Sequence, residues 1–348
     1  MARLSDLKVA MGTSVLIVAV IFSLFIFAIL FFLQLDFVTG IIVALSLTGI
    51  FILFEYLIGP IIVSATSRLH YLQPGENPWL ENTVKELAQK SGLPMPKLAI
   101  VPNSTPNAFT FGRSQADATL AVHDGLLKAL NEDEVRAVIA HELGHIKHKD
   151  YIVMTALSAL PLIAYIVAQT ALRAGMFSGY SRRNRDNNGG IALIVIGVIS
   201  FAVYYITFLA VMRLSRLREH FADAYSAYVT SSPRSLESGL AKITYGLSIS
   251  PKPPEGARAF YIEDPALAKQ EVNEIMDKKQ DYDLDHDGVL DERELEIAME
   301  KESKSTWNKL NSLFATHPPT FKRILLLREI ENEMNTGKYQ TEDIYTHV

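Results

Sequence analysis

Apolar residues are concentrated in four long runs, separated by polar stretches with helical or strand periodicity. The runs cover residues 14–33, 37–65, 151–172 and 190–212. Each run is long enough to cross a hydrocarbon core about 30 Å thick. The pattern therefore predicts about four transmembrane helices, paired as one hairpin in residues 1–66 and a second hairpin in residues 151–212.

A cleaved signal peptide is the alternative interpretation of the first run. The apolar core of a signal peptide is shorter and is followed by a small-residue cleavage site. Here a second apolar run begins directly after Asp36. This continuity favours a spanning helix over a signal peptide.

Basic residues flank the side of the membrane that would carry the long polar segments. They are Arg3, Lys8, Arg68, Lys147, Lys149, Arg213, Arg216 and Arg218. The positive-inside rule assigns that side to the cytoplasm, which predicts an integral plasma-membrane protein with a cytoplasmic polar domain. The loop with Arg173, Arg182, Arg183 and Arg185 disagrees with this assignment. Either that loop crosses anyway, or the second hairpin is only partly inserted.

The polar stretches contain signals for both helices and strands. Residues 78–91 predict a helix that ends at Gly92, and short strands are predicted at 97–101, 108–112 and 118–122. Asn131 and Glu134 form a capping-box pattern that opens another helix. Later helices are predicted at 214–229 and 324–333, with a Pro-rich linker at 251–254.

The amino-acid composition excludes several classes of function and of metal site. In 348 residues the apolar share is 49%, the net charge is -5 and there are no cysteines. The negative net charge and scattered basic residues argue against nucleic-acid binding. Without cysteine there is no disulfide, thiol nucleophile or thiolate site, so a transition metal has to be held by His and carboxylate side chains.

A zinc-binding pattern lies on the helix that begins near Asn131. His141 and His145 are four residues apart, so both imidazoles project from one face and can reach one ion. Glu142 is placed to take a proton from a water on that ion and pass it to a leaving amine. The pattern predicts a Zn²⁺-dependent hydrolase. A chance match on an amphipathic helix is the alternative.

A catalytic zinc needs a third protein ligand. Glu219 is our candidate, with Asp223 on the same helical face accepting a hydrogen bond from a ligating His. His220 is the alternative ligand. His148 lies about 10 Å along the helix axis from His141, too far to share the ion, and we predict an ordinary surface position for it.

The chain resembles the HtpX family of membrane zinc endopeptidases over nearly its whole length. The motifs are Asn107-Ala108-Phe109, Asp124-Gly125-Leu126-Leu127, residues 141–145, residues 215–223 and His317-Pro318-Pro319, together with the two hairpins. It is similar, more distantly, to the CAAX-processing zinc proteases. The HtpX resemblance implies a zincin fold facing the cytoplasm, degradation of damaged or misassembled membrane proteins, and Glu219 as third ligand.

We therefore expect an α+β fold: a zincin-type metalloprotease domain with a small β-sheet, about four transmembrane helices and an EF-hand insert. The catalytic domain would comprise residues 67–150, 213–250 and 305–348, and the linker with the insert would occupy 251–304. The predicted substrate strand is Asn107, Ala108, Phe109 and Thr110, where an extended peptide adds as another strand.

His317 and Arg323 are the candidates for stabilising the oxyanion in this catalytic domain. Both belong to the stretch from His317 to Ile324, and a donor near the metal is required. The alternative is that His317 and Pro318 only begin the last helix.

A calcium-binding pattern lies in the insert. Residues 283–294 match the twelve-position EF-hand loop. Its predicted Ca²⁺ ligands are Asp283, Asp285, Asp287, Val289, Asp291 and Glu294. The alternative is a solvated acidic loop without a bound ion.

Two other functions are alternatives to general proteolysis. One is a membrane calcium sensor or holdase with little proteolysis, and another is a processing protease for specific substrates such as prenylated C-termini. The expected partners are protein or peptide substrates, mainly membrane proteins, and the lipid bilayer, with a homo-oligomer as an open alternative and no nucleic acid.

Overall fold

The computed structural model describes residues 4–32, 34–157, 159–178, 188–250, 261–286, 294, 297–298, 301, 315–336 and 344–345. Most of these residues are helical, and a four-stranded sheet accompanies the helices. The chain divides into two compact units. We call Lys8–Ile62 with Ile152–Leu214 the membrane unit, and Met1–Leu7, Val63–Tyr151 and Ser215–Val348 the polar unit.

The described elements follow one another in this order: α1 (Leu4–Phe32), α2 (Phe37–Thr66), β1 (His70–Tyr71), α3 (Pro78–Ser91), β2 (Lys97–Val101), β3 (Ala108–Phe111), a 3-10 turn (Gln115–Asp117), β4 (Thr119–His123), α4 (Asp124–Ala129), α5 (Glu132–His148), α6 (Asp150–Leu157), α7 (Ala159–Ser178), α8 (Asn188–Thr230), α9 (Pro233–Ile249), α10 (Pro265–Asp277), α11 (Lys279–Tyr282) and α12 (Thr320–Asn335). The α+β prediction is confirmed as a mostly helical fold with a small sheet.

Four described helices are long and apolar enough to cross a membrane. The stretches that qualify are Ser5–Phe31, Phe37–Thr66, Leu160–Phe177 and Gly189–Thr230. Large apolar side chains on α1 and α2, such as Leu16 and Ile50, are more than half exposed, which is typical of a surface that faces lipid. The prediction of about four transmembrane helices is confirmed as four candidate spans, although the third candidate covers Leu160–Phe177 and not the predicted residues 151–172.

Small residues let the helices of the membrane unit approach one another. A Cβ atom built on Gly197 of α8 would lie 2.5 Å from Cγ of Leu172 on α7, so only glycine allows this contact. Ser23 on α1 donates a hydrogen bond of 3.0 Å to Thr48 on α2. Close packing and a polar contact between helices are the interactions available where water is absent.

The sheet of the polar unit has the strand order β1-β2-β4-β3. β2 and β4 are parallel, whereas β1 and β3 pair antiparallel with their neighbours. The predicted strand boundaries differ from the observed ones by at most one residue, and α3 ends as predicted at Gly92 in the left-handed conformation (φ 63°). Among the described strands, β3 therefore forms one edge of the sheet.

Helix α5 is anchored at both ends. The predicted capping box is present, because Asn131 and Glu134 each accept a backbone N–H bond from the other at 2.9 Å. Glu134 also accepts hydrogen bonds from Ser238 and Lys242 on α9. Near the other end, a Cβ on Gly144 would lie 3.2 Å from Cα of Ala222, so glycine lets α5 approach α8 closely.

Two predicted helices are longer in the structure. Residues 214–229 form the end of the 43-residue helix α8, and residues 324–333 lie within α12. The predicted linker, 251–254, lies outside the described residues, as do Asp287, Val289 and Asp291 of the predicted calcium loop.

Candidate metal centre

Two helices bring the predicted metal ligands together. α5 carries His141, Glu142 and His145, and α8 carries Glu219. Nε2 of His141 lies 3.2 Å from Nε2 of His145 and 3.2 Å from Oε2 of Glu219, and Nε2 of His145 lies 3.6 Å from Oε1 of Glu219. These side chains are buried together with Glu142.

This geometry fits a zinc ion. Four-coordinate zinc with bonds of about 2.1 Å separates its ligand atoms by roughly 3.4 Å. The separation of 3.2 Å between the two histidine nitrogens is close to that value, as are the distances of 3.2 and 3.6 Å from these nitrogens to the two oxygens of Glu219. The ligand atoms of His141, His145 and Glu219 all lie within 4.8 Å of one another. Two imidazoles and one carboxylate are also a donor set that suits zinc.

Each histidine of the cluster has a carboxylate behind it. Nδ1 of His141 lies 3.0 Å from Oδ1 of Asp223, and Nδ1 of His145 lies 3.1 Å from Oδ2 of Asp150. An acceptor at Nδ1 holds the proton there and directs the lone pair of Nε2 toward the centre. Both rings are therefore oriented for metal binding.

The centre carries an excess of negative charge. Burial disfavours the imidazolium form of His145, but the charges of Asp150 and Glu219 outweigh burial and raise the pKa of His145 to about 10. Arg218 offsets part of this charge, since its Nη2 lies 3.0 Å from Oε1 of Glu219. A divalent cation is the natural counter-charge for such a buried group of carboxylates.

Arg323, a candidate from the sequence, lies fully buried on α12. Its Nε and Nη2 donate to the two oxygens of Asp223 at 2.8 and 2.7 Å. Its Nη1 donates to the carbonyl of Ile262 at 2.6 Å and to Glu263 at 2.8 Å. A guanidinium has five N–H groups, so most of the donors of Arg323 are engaged by the protein itself.

His317, the other candidate, is also buried beside the centre. Its Nε2 lies 3.6 Å from Oε1 of Glu219, and its Nδ1 lies 2.9 Å from the hydroxyl of Thr316. Burial lowers the pKa of His317 to about 4, although the charge of Glu219 opposes this shift. The ring is therefore neutral around pH 7 and close enough to act at the centre.

The predicted surface position of His148 is wrong. His148 is 4% exposed, and its Nε2 lies 2.7 Å from the hydroxyl of Tyr345. The rings of Phe221 and Tyr225 on α8 also pack against it. The last turn of α5 is covered by α8 and by Tyr345, which the helical period alone does not reveal. Burial lowers the pKa of His148 to about 4.

The predicted substrate strand belongs to the polar unit, as the candidate metal centre does. Ala108, Phe109 and Thr110 belong to β3, and Asn107 precedes it. β3 packs against α5, the helix that carries the two histidines. The side-chain oxygen of Asn107 accepts a hydrogen bond of 2.9 Å from the backbone N–H of Ile262. This oxygen is therefore already engaged by the protein itself.

Three of the predicted calcium ligands are described. Oxygen atoms of Asp283, Asp285 and Glu294 lie within 4.8 Å of one another. Asp285 is exposed, whereas Asp283 and Glu294 are buried. The carboxylates therefore converge on a common point.

Several residues of the centre were not predicted from the sequence. Asp150 follows His145 by five residues, and Arg218 directly precedes Glu219, so proximity to the motifs was the signal that could have found them. Glu263 and Thr316 carry no such signal. They reach the centre only through tertiary contacts with Arg323 and His317. Among the described residues, the alternative ligand His220 is not part of the metal cluster.

Comparisons with known proteins place this chain in a family. The family described as Peptidase family M48 matches residues 74–331. A Protease HtpX homolog from Aeropyrum pernix is 35% identical over 303 residues, covering 85% of this chain and 88% of that protein. A Protease HtpX homolog from Methanothermobacter thermautotrophicus is 40% identical over 204 residues, covering 58% and 74%. The crystal structure of S. mikatae Ste24p aligns with a TM-score of 0.45 and 17% identity, covering 91% of this chain and 62% of that chain.

Proposed function

This chain belongs to peptidase family M48 and is a membrane-anchored metallopeptidase, and from that premise we propose that it is a zinc endopeptidase for misfolded or damaged membrane proteins. The observation that carries the proposal is the buried His141, His145 and Glu219 cluster, with Glu142 on the same helix. Spanning helices in the same chain would keep the site close to membrane-protein substrates.

In the proposed reaction, His141, His145 and Glu219 hold zinc. Bound there, zinc would polarise the scissile carbonyl and lower the pKa of a water toward about 7. Glu142 takes a proton from the attacking water and passes it to the amine nitrogen as the C–N bond breaks. Glu142 is buried, so this proton transfer would be shielded from bulk water.

Arg323 acts in this proposal as a positioning residue. Its hydrogen bonds to both oxygens of Asp223 hold the carboxylate that faces Nδ1 of His141. Because its N–H donors are engaged in this way, we assign the contact with substrate to His317, whose Nε2 lies 3.6 Å from Oε1 of Glu219. Substrate would bind in an extended form along β3, from Asn107 to Thr110.

The experiment compares the native chain with Glu142→Gln, both as purified full chains in detergent. We expect equal zinc content, because the ligands remain, and a loss of about 10²- to 10⁴-fold in cleavage of an unfolded reporter, because the proton carrier is gone.

A folded membrane protein and its heat-damaged form serve as paired substrates for the quality-control role. Full activity of Glu142→Gln contradicts the mechanism, and equal cleavage of the paired substrates contradicts the preference for damaged proteins.

Calcium binding by the insert is a second part of the proposal. It is supported by the convergence of Asp283, Asp285 and Glu294 within 4.8 Å, and by the twelve-residue spacing of the loop. Carboxylates crowded in this way repel one another, and one Ca²⁺ relieves the repulsion. We propose that calcium orders the insert and modulates proteolysis.

We propose that the catalytic domain faces the cytoplasm from the plasma membrane, supported by the basic residues that flank that side of the predicted hairpins. Processing of specific substrates is the alternative to quality control, and the paired-substrate comparison distinguishes the two.

A further inference from the structure

An aromatic cluster lies where the last turn of α5 meets α8. It consists of His148 of α5, Phe221 and Tyr225 of α8, and Tyr345, which follows α12 in the chain. The centroid of the Tyr345 ring lies 4.9 Å from that of Phe221 and 5.5 Å from that of His148. The hydroxyl of Tyr345 lies 2.7 Å from Nε2 of His148. Tyr345 therefore contacts both helices, although it belongs to neither.

The same two helices supply the three proposed zinc ligands. His141 and His145 come from α5, whereas Glu219 comes from α8. At Gly144 the two helices are in near contact, since a Cβ atom there would lie 3.2 Å from Cα of Ala222. A zinc site tolerates deviations of only about 0.2 Å in its bond lengths. A small shift of one helix along the other would therefore separate the ligands.

The aromatic cluster also reaches the carboxylate that supports a proposed ligand. Nδ1 of His148 lies 4.0 Å from Oδ2 of Asp150. That same oxygen lies 3.1 Å from Nδ1 of His145. A carboxylate behind a ligating ring fixes the orientation of the ring. Because His148 packs beside Asp150, the position of His148 limits where this carboxylate can move.

The side chain of Tyr345 is suited to hold His148 in place. Aromatic rings attract one another when their centroids are about 4.5 to 7 Å apart, and both ring contacts of Tyr345 fall in this range. A hydroxyl can donate or accept, so it is a partner for Nε2 of His148 in either tautomer. His148 is only 4% exposed. Loss of Tyr345 would therefore remove the partner of a buried polar atom, which is costly.

We propose that Tyr345 is a positioning residue that fixes the spacing of α5 and α8 and thereby the geometry of the zinc ligands. This inference rests on the zinc site of the proposed function. Tyr345 touches neither the ligand side chains nor a substrate, and it acts through His148 and Phe221. The catalytic domain then depends on a residue ten positions beyond Asn335, the last residue of α12.

The first test measures zinc affinity of purified full chains in detergent, by competition with a chromophoric chelator at a temperature where every variant is folded. We expect Tyr345→Ala to weaken zinc binding about 10- to 100-fold, the range for groups that orient metal ligands. Tyr345→Phe keeps the ring contacts but lacks the hydroxyl, so it should lose less.

Two control variants separate positioning from a general loss of stability. Leu98→Ala truncates a buried side chain on β2 and should lower the melting temperature with little change in zinc affinity. Tyr245→Ala removes an exposed tyrosine on α9 and should behave as the native chain does. Native zinc affinity in Tyr345→Ala overturns the inference, and so does an equal loss of affinity in Leu98→Ala.

The second test follows hydrogen exchange of the metal-free chains by mass spectrometry. We expect faster exchange in Tyr345→Ala at the last turn of α5 and at residues 220–226 of α8, with unchanged exchange in β2, because the loss of contacts is local. Unchanged exchange in the two helices contradicts the inference. Neither test depends on proteolysis. A native chain that binds zinc but cleaves no reporter contradicts the proposed function, and the two tests still decide the role of Tyr345.

Discussion

At the scale of single residues, the candidate metal centre has polar groups behind its proposed ligands. His141 is backed by Asp223, which is held in turn by Arg323, and His145 is backed by Asp150. Such partners fix the tautomer and the direction of a ligand ring. Substitutions behind the ligands should therefore weaken metal binding even though they touch no metal.

The third ligand can be identified by zinc content. We expect Glu219→Ala to weaken zinc binding by more than about 100-fold, since loss of an orienting partner alone costs about 10- to 100-fold. His220→Ala should retain zinc, because His220 is outside the cluster of described ligands. Metal analysis of both purified variants after dialysis against a weak chelator measures the difference. An empty site in His220→Ala together with a full site in Glu219→Ala would reverse our assignment.

At the scale of elements, α10 and α12 are joined through Glu271. Both of its carboxylate oxygens lie within hydrogen-bond distance of the backbone N–H of Thr320, the first residue of α12, at 3.1 and 3.3 Å. Burial raises the pKa of Glu271 to about 8. The contact therefore links the helix of the insert to the helix that carries Arg323, and its strength depends on pH.

Glu271 should make the folded chain less stable as pH rises. Between the ordinary value of 4.5 and about 8, the folded chain keeps the proton on Glu271 whereas the unfolded chain releases it. The contribution of Glu271 to the free energy of unfolding is complete below pH 4.5 and is lost as pH rises through about 8. We expect the native chain to lose up to about 1.4 kcal/mol per pH unit relative to Glu271→Gln across this range. Melting temperatures at several pH values measure it, and a pH-independent difference between the two chains contradicts it.

Calcium binding should affect the whole insert and not only its loop. We expect Ca²⁺ in the range of ~10⁻⁷ to 10⁻³ M to protect residues 266–302 from added protease and to raise proteolytic activity or stability, because one ion fixes the angle between flanking helices. Glu294→Gln should abolish both responses. Asp277→Asn, an exposed acidic residue outside the loop, is the matched control and should respond as the native chain does. Equal responses in the native chain and in Glu294→Gln would mean that the loop is not the calcium sensor.

At the scale of the whole molecule, the orientation in the membrane decides which substrates reach the centre. Asp36 lies in the turn between α1 and α2, and Lys85 lies on α3 of the polar unit; both are exposed. With the polar unit in the cytoplasm, these two positions fall on opposite sides of the membrane. The absence of cysteine from the native chain makes them suitable for single-cysteine labelling.

We expect Asp36→Cys to react with a membrane-impermeant maleimide in intact cells, and Lys85→Cys to react only after the membrane is permeabilised. Zinc content and melting temperature control for the integrity of each variant. Labelling of Lys85→Cys in intact cells, with protection of Asp36→Cys, would place the polar unit outside the cell.

The sequence alone was sufficient for features that arise from contacts between neighbours in the chain. The four spanning helices follow from the length of each apolar run, and the start of α5 follows from the capping box of Asn131 and Glu134. The convergence of His141 and His145 follows from the helical period. Each of these features involves residues within one helix, so local spacing decides them.

Only the tertiary structure decided what surrounds the proposed metal ligands. His148 is buried because α8 and Tyr345 cover it, and Arg323 of α12 is engaged by Asp223 of α8. Asp264 and His317 are 53 positions apart in the chain, yet Thr316 connects them through hydrogen bonds. Residues far apart in sequence have no periodic relation to one another, so their contacts exist only once the helices are packed.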